Sequence, residues 1–357
     1  MLVPLRAPDD FHVHFRRPPL LDGVVRDTAR WFARALVMPN TVPPITTAER
    51  LLAYRRDIEA AVGPDRWFEP LLTFKVVPGL TAEQIRQLAE AGAIGGKLYP
   101  QGVTTNSEDG VVDLEPLLPV FETMEELDLV LEIHAEAPGV FSLDREIAYL
   151  PSIRRIVRRF SSLRVVIEHV SSRDTIAALA DLPPRVAATV TLHHLLLTLD
   201  DVIGGDLRPH HFCKPVAKRP VDRDALCAAV LSGDPRVFFG SDSAPHPRGS
   251  KESDCGCAGI YTAPVALPLL AEFFARAGVP LTEPPQRSQP PHPSRAASLE
   301  AFVSRAGAEF YRLPLNERTI TLCESQWIVP DEYAGVVPFR AGATLHYDLS
   351  YGPGGEA

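Results

Sequence analysis

DDFHVHFRR, residues Asp9 to Arg17, opens the first apolar run of the chain and sets two histidines two positions apart. In a β-strand residues i and i+2 point to one face, so His12 and His14 project side by side into one space. Two imidazoles so placed can ligate a single metal ion, whereas isolated polar residues at a strand end carry no such meaning. The same pattern recurs along the chain. Apolar, β-branched runs with polar residues near their ends follow at ALVMPN (35–40), LLTFKVV (71–77), GGKLY (95–99), LVLEIHAE (129–136), VVIEHVS (165–171), AATVTLHH (187–194) and VFFGSDS (237–243).

With the run that ends at FHVHF, this makes eight candidate strands. Helical patterns lie between them. TAERLLAYRRDIEAAVG (47–63) has a threonine cap and a terminal glycine, and in TAEQIRQLAEAG (81–92) Thr81 and Gln84 form a capping box. Such alternation predicts βαβ units and a parallel sheet. Eight units predict a closed (β/α)8 barrel of the TIM type, an α/β fold, with a doubly wound open sheet as the alternative. Residues 1–357 then form a single barrel domain, with residues 296–350 as terminal helices and a tail packed outside.

The polar residues favour the barrel. His12, His14, Asn40, Lys97, His134, His169 and Asp242 each fall near the C-terminal end of a run. Barrel enzymes build their active sites at that face from the ends of several strands. One such histidine is most simply a satisfied core residue; four, with an aspartate and a lysine, read as a metal centre.

Composition narrows the partners. Hydrophobic residues make up 45% and charged residues 23%, and the net charge is -9 with both signs interspersed. That is the make-up of an ordinary soluble globular protein, with no basic stripe for nucleic acid or an anionic membrane. The N-terminus MLVPLRAPDD has no signal-peptide pattern, and no apolar run approaches the roughly 20 residues that span a bilayer. Five cysteines, scattered except for Cys255 and Cys257, do not form a disulfide framework, so a reducing cytoplasm is the expected compartment. Proline is abundant, at 35 residues, and the tract VPLTEPPQRSQPPHPS (279–294) reads as an extended surface insertion.

HVHFR, VMPN, GGKLYPQGVTTNSEDGV, EIHAE, VIEHVSS, HHLLLT, FCKPVAKR and FFGSDSAPHPRGSKESDCGCAGIYTAP, in this order, resemble the shorter bacterial (class II) dihydroorotases of the amidohydrolase superfamily. The likeness extends to AGAEFYRLPLNERTITL near the C-terminus. HxH marks only the superfamily; KLYP with TTNS and SDSAPH with GCAG are far more specific.

The resemblance implies two divalent metal ions, usually zinc, bridged by a lysine whose side-chain nitrogen is carboxylated. One ion would take His12, His14, carboxylated Lys97 and Asp242, and the other Lys97, His134 and His169. An unmodified ammonium has no lone pair to offer a cation, whereas a carbamate is an anion with two oxygens. Gly95 and Gly96 beside Lys97 suggest low backbone crowding there. The implied reaction is reversible closure of N-carbamoyl-L-aspartate to (S)-dihydroorotate plus water in de novo pyrimidine synthesis. A hydroxide shared by the ions attacks in the hydrolytic direction, with Asp242 as general base and then general acid.

For the substrate carboxylate the resemblance implies Arg16, Asn40 and His246, with His134 and the main chains of Lys214 and Ala258 as further contacts. Strand alternation puts Arg16 on the same face as His14, and its planar fork matches a carboxylate. The loop Gln101–Val111 is expected to close over the substrate, with the Thr104 and Thr105 hydroxyls reaching it. His193 and His194 end a predicted strand, and one of them is a candidate support for the metal ligands. Cys255 and Cys257 alone are a weak zinc signal. A homodimer is implied by the family alone.

Two other readings remain open at this stage. A dihydropyrimidinase or hydantoinase shares the HxH and lysine logic, but its substrate needs no carboxylate receptor such as Arg16. A catalytically dead relative would lack a ligand, and none is missing.

Overall fold

The computed structural model describes residues 2–64, 67–107, 110–283 and 297–350. Strand β1 (Leu2–Arg6) is followed by eight strands of one sheet: β2 (Asp9–Val13), β3 (Arg34–Val37), β4 (Glu69–Val76), β5 (Ala93–Leu98), β6 (Val130–Ile133), β7 (Val165–Ile167), β8 (Val186–Val190) and β9 (Val237–Phe239). These run parallel in sequential order. A parallel bridge between Val13 and Ser243, with Asp242 N donating to His12 O at 2.9 Å, draws the last strand onto the first. The architecture is therefore the (β/α)8 barrel, and the open sheet is excluded.

The local signals act as expected. The helix Ala48–Val62 starts where Thr47 accepts from Arg50 N and stops at Gly63, and Thr81 with Gln84 forms a complete capping box for the helix Ala82–Glu90. Each cap satisfies amide groups that the first turn leaves without partners. Outside the barrel, helix and strand residues such as Leu51, Ile58, Leu72 and Ile133 share one large apolar layer. Inside, the lower half is filled by Phe11, Leu36, Leu71, Val130, Val166, Ala187 and Phe238. Tyr311 stacks on Phe11 with ring centroids 5.0 Å apart. Gly307 allows this plug, because any Cβ there would strike the Phe11 ring.

Above this plug the interior turns polar. The register between β2 and β3 shifts between Asp10 and Val13. Such an irregularity re-aims side chains, so Phe11 fills the lower interior while His12, next in sequence, faces the upper one.

Beyond residue 296 helical turns over Ala301–Phe310 fit the expected terminal helices, but two long strands correct the rest of that expectation. β10 (Thr319–Ile328) and β11 (Thr344–Leu349) form a separate antiparallel sheet with β1, in the order β1-β10-β11. The partner of β10 lies at the opposite end of the chain, so no local pattern announces the pairing. Pro4 further masks β1 as a strand, although proline is tolerated at a sheet edge. Of the tract 279–294, only residues 279–283 fall within the described residues. There Leu281 is buried and its carbonyl accepts from Glu300 N at 3.0 Å.

Candidate active site

Six side chains meet inside the C-terminal rim of the barrel. His12 comes from β2 and His14 follows it; Lys97 lies in β5, and His134, His169 and Asp242 follow β6, β7 and β9. All six are buried, Lys97 completely. Asp242 Oδ1 lies 3.5 Å from His12 Nε2 and 3.2 Å from His14 Nε2. The ring of His169 lies 5.1 Å from that of His12 and 4.5 Å from that of His134, centroid to centroid.

The backbone is bent to achieve this. Arg16, His169 and Asp242 have φ of 63°, 40° and 45°. Non-glycine residues held in that region cost energy that the surrounding fold must offset, and they cluster at functional sites.

Carboxylates beneath the rings set their orientation. His12 Nδ1 donates to Glu168 Oε2 at 2.8 Å, and Thr189 Oγ1 donates to the same oxygen at 2.6 Å. His134 Nε2 donates to Glu136 Oε2 at 2.7 Å. An ionised carboxylate only accepts, so each ring turns its N–H to the glutamate and leaves the other nitrogen as a bare lone pair. Those nitrogens are His12 Nε2 and His134 Nδ1.

The electrostatics favour ligand-ready protonation states. Burial lowers His14 to about 4, despite the hydrogen bond to Asp242, and pushes His169 well below its ordinary value. His134 is also lowered by burial, against the pull of Glu136. Burial would raise Asp242, but the His14 hydrogen bond and the pull of the His12, His14 and His193 rings outweigh it and hold the carboxylate low. The result is neutral imidazoles around an anion. Burial also lowers Lys97, against the pull of Glu168, Glu132 and Asp242, and so favours the free amine.

Of the six cage side chains, Lys97 through Nζ and His169 through Nδ1 hold a buried polar atom with no hydrogen-bond partner among the described residues. A buried donor or acceptor without a partner costs on the order of 1–3 kcal/mol. The unpaired atoms, the bare imidazole nitrogens and the His12–His14–Asp242 cluster, whose ligand atoms lie within 4.8 Å of one another, fit a cation-binding cage. The donors are nitrogen and oxygen, as divalent zinc and its relatives accept.

Over the cage opens a narrow cleft, lined by the four histidines and Asp242 with Arg16, Asn40, Tyr99, Thr104, Thr105, Lys214 and Ala258 among others. Arg16 Nε donates to Pro245 O at 3.0 Å and Nη2 to His246 Nε2 at 2.9 Å. His246 is lowered to about 3 by burial and by the charges of Arg16 and Lys251, so it accepts as a neutral ring. Asn40 Nδ2 donates to Thr105 O at 3.2 Å, and Asn106 Nδ2 returns a bond to Asn40 O at 2.9 Å. This clasp holds the tip of the 101–107 segment over the cleft.

Three expectations need correction. Arg16 reaches the cleft from a left-handed turn beyond the end of β2, not by strand alternation. The glycines before Lys97 mark crowding rather than space. A Cβ on Gly95 would meet Glu132 and, at 2.7 Å, Val130 O; one on Gly96 would meet the Phe74 ring at 2.8 Å. His193 and His194 do not end a strand but lie in the short helix Leu192–Leu196, capped by Thr191. The residues missed from sequence are Glu136, Glu168, Thr189 and Tyr99. The signal for two of them was a glutamate within two positions of a candidate ligand, in HAE and EH.

The amidohydrolase family profile matches residues 45–318. The dihydroorotase of Shewanella denitrificans is 41% identical over 98% of this chain and 99% of that relative. The crystal structure of dihydroorotase from Campylobacter jejuni superposes with a TM-score of 0.86 at 37% identity, covering 98% of both chains. That of Saccharomyces cerevisiae dihydroorotase, in complex with 5-fluoroorotic acid, gives 0.86 at 33% identity over 99% of both. The chain belongs to the amidohydrolase family and, within it, to the dihydroorotases.

Proposed function

We propose that this chain interconverts N-carbamoyl-L-aspartate and (S)-dihydroorotate plus water, a step of pyrimidine (UMP) synthesis, at the cage formed by His12, His14, Lys97, His134, His169 and Asp242. The observation that carries the reading is the unpartnered, fully buried Lys97 amine among four imidazoles and an aspartate, with Arg16 lining the cleft over the cage.

His12, His14 and Asp242 would hold one divalent cation, and His134 and His169 a second, zinc being the best match to the donors. Lys97 would join them as an N-carboxylate. Its neutral amine attacks CO2, one N–H proton leaves, and an anion with two oxygens results. Two bound cations supply Lewis-acid polarisation of the scissile carbonyl and a nucleophilic water at neutral pH.

The remaining work falls to the chain. In ring closure Asp242 takes a proton from the ureido nitrogen as that nitrogen bonds to the side-chain carboxylate carbon. It then delivers the proton to the departing oxygen, which leaves as hydroxide and takes a second proton from solvent to become water. In ring opening it accepts the water's proton and returns it to the ring nitrogen as the C–N bond breaks. Because its carboxylate is held low, it stays charged through the working pH range and surrenders the proton readily.

Arg16, Asn40 and His246 receive the substrate carboxylate, with the planar guanidinium as the bidentate partner. The main chains of Lys214 and Ala258, the His134 ring and the Thr104 and Thr105 hydroxyls complete the contacts. Closure of the 101–107 segment excludes water, which strengthens each of these interactions. A homodimer in the cytoplasm is the state we infer for the assembled enzyme; no helix of the described residues is long and apolar enough to cross a membrane.

The test is turnover of dihydroorotate, dihydrouracil and hydantoin by the metal-loaded protein. Hydrolysis of dihydroorotate far above the other two is expected, because only dihydroorotate offers Arg16 a carboxylate. Preference for either uncharged ring would contradict the reading, and no turnover of any would make the chain a binding protein.

A further inference from the structure

Behind the catalytic cage lies a second group of donors that the reaction does not use. His193, His194 and Cys213 are buried, and one ligand atom from each lies within 4.8 Å of the others. Neither ring nitrogen of His193 has a hydrogen-bond partner among the described residues, although the residue is fully buried. An imidazole always has at least one lone pair or N–H to satisfy, and leaving both nitrogens bare in the interior is costly. Nothing in the catalytic proposal relieves that cost.

We propose that His193, His194 and Cys213 form a separate structural site for a borderline-soft divalent cation of the zinc type. Cys213 Sγ lies 3.8 Å from His194 Nε2. Sulfur and nitrogen bound to one tetrahedral zinc ion stand roughly 3.5 Å apart, so this pair is nearly in place, and a ligand atom of His193 lies within 4.8 Å of both. The carbonyl oxygen of Pro215 lies 3.0 Å from His194 Nε2 and 3.2 Å from Cys213 Sγ. It supplies a fourth donor. Thr191 Oγ1 sits 2.9 Å from His194 Nδ1 and can accept its N–H, which frees Nε2 as the ligand atom.

The donor set of two imidazoles, one thiolate and one carbonyl is closed and buried, which marks a structural rather than a catalytic site. An ion here would fasten the helix Leu192–Leu196 to the segment 213–215, whose Lys214 lines the substrate cleft. The thiolate also sets it apart, since the catalytic cage contains only nitrogen and oxygen donors.

Cobalt reads this difference directly. Metal-free protein loaded with excess Co2+ is expected to bind one ion more than the catalytic cage holds, and to show thiolate-to-cobalt charge-transfer absorption. The band should vanish in Cys213→Ser and persist in a variant with Cys255→Ser and Cys257→Ser. His193→Gln should lose the extra ion while keeping the other bound cobalt, so the answer does not depend on the folding of the cysteine variant. Absence of the band from the parent protein, a band that follows Cys255 and Cys257, or an unchanged cobalt count in His193→Gln would overturn the proposal. None of these results depends on whether the catalytic reading holds.

Discussion

Replacing Glu168 by glutamine tests whether the carboxylates under the cage are part of its function. Glu168 is fully buried, and its Oε2 accepts from His12 Nδ1 at 2.8 Å and Thr189 Oγ1 at 2.6 Å. Burial would raise this carboxyl, but the charges of His12 and Lys97 and the two hydrogen bonds outweigh it and keep it ionised. Glutamine retains the shape and one acceptor oxygen while removing the charge. A hydrogen bond to a charged group contributes about 1.5–3 kcal/mol and a neutral one about 0.5–1.5 kcal/mol, so roughly 1–2 kcal/mol of support for His12 is lost. At about 1.4 kcal/mol per factor of ten, cation affinity should weaken on the order of tenfold. Losses of 10–100-fold are typical when a group supporting a metal-bound histidine is removed. Competition between the loaded protein and a chelator measures the change, with Glu252→Gln at the exposed face as the control. Affinity equal to the parent's would show that the Glu168–His12 bond does not prepare the ligand.

Asp242→Asn should lower turnover per bound cation by about 10²-fold or more, because the amide cannot accept the transferred proton; near-parental turnover would remove Asp242 from that role. Gly95→Ala should lower the melting temperature markedly, since its Cβ meets Glu132 and lies 2.7 Å from Val130 O, where the backbone cannot yield. A neutral result would refute the close packing of β5 on β6. Acid should destabilise the metal-free protein through His246, which burial lowers from 6.5 to about 3. The unfolded chain takes up this proton below pH 6.5 and the folded chain does not until about 3, so stability is lost as pH falls through that window. Melting curves for His246→Gln should therefore show a shallower decline between pH 6.5 and 4 than the parent; equal slopes would contradict the buried neutral ring.

Much of the barrel was legible because it is written locally. Each strand carries its own apolar run, and Thr47, Gly63 and the Thr81–Gln84 box mark helix ends within a few residues. The side chains that meet at the barrel rim were legible because they repeat one rule, a metal-capable side chain where an apolar run ends. What was hidden depends on distant neighbours. β1 and β10 pair across nearly the whole chain, and Pro4 disguises the first of them. The crowding at Gly95 arises from Glu132 on the adjacent strand, whose side chain packs over a position that sequence alone leaves open. Arg16 was placed in the cleft for the wrong reason, since the strand ends at Val13 and a left-handed turn does what alternation was expected to do. Glu136 and Glu168 stood beside their histidines in the sequence, but Glu168 supports His12, 156 positions away, rather than its neighbour His169.

The claim on which the rest depends is that Lys97 works as an anion. Equilibrating the metal-loaded protein with ¹³C-bicarbonate and recording its carbon spectrum tests this directly. A single protein-bound carbamate resonance should appear in the parent and be absent from Lys97→Ala, which should also lose most of its bound metal and nearly all turnover. A fully active parent with no such resonance, or a Lys97→Ala protein that keeps its metal and its activity, would contradict the account.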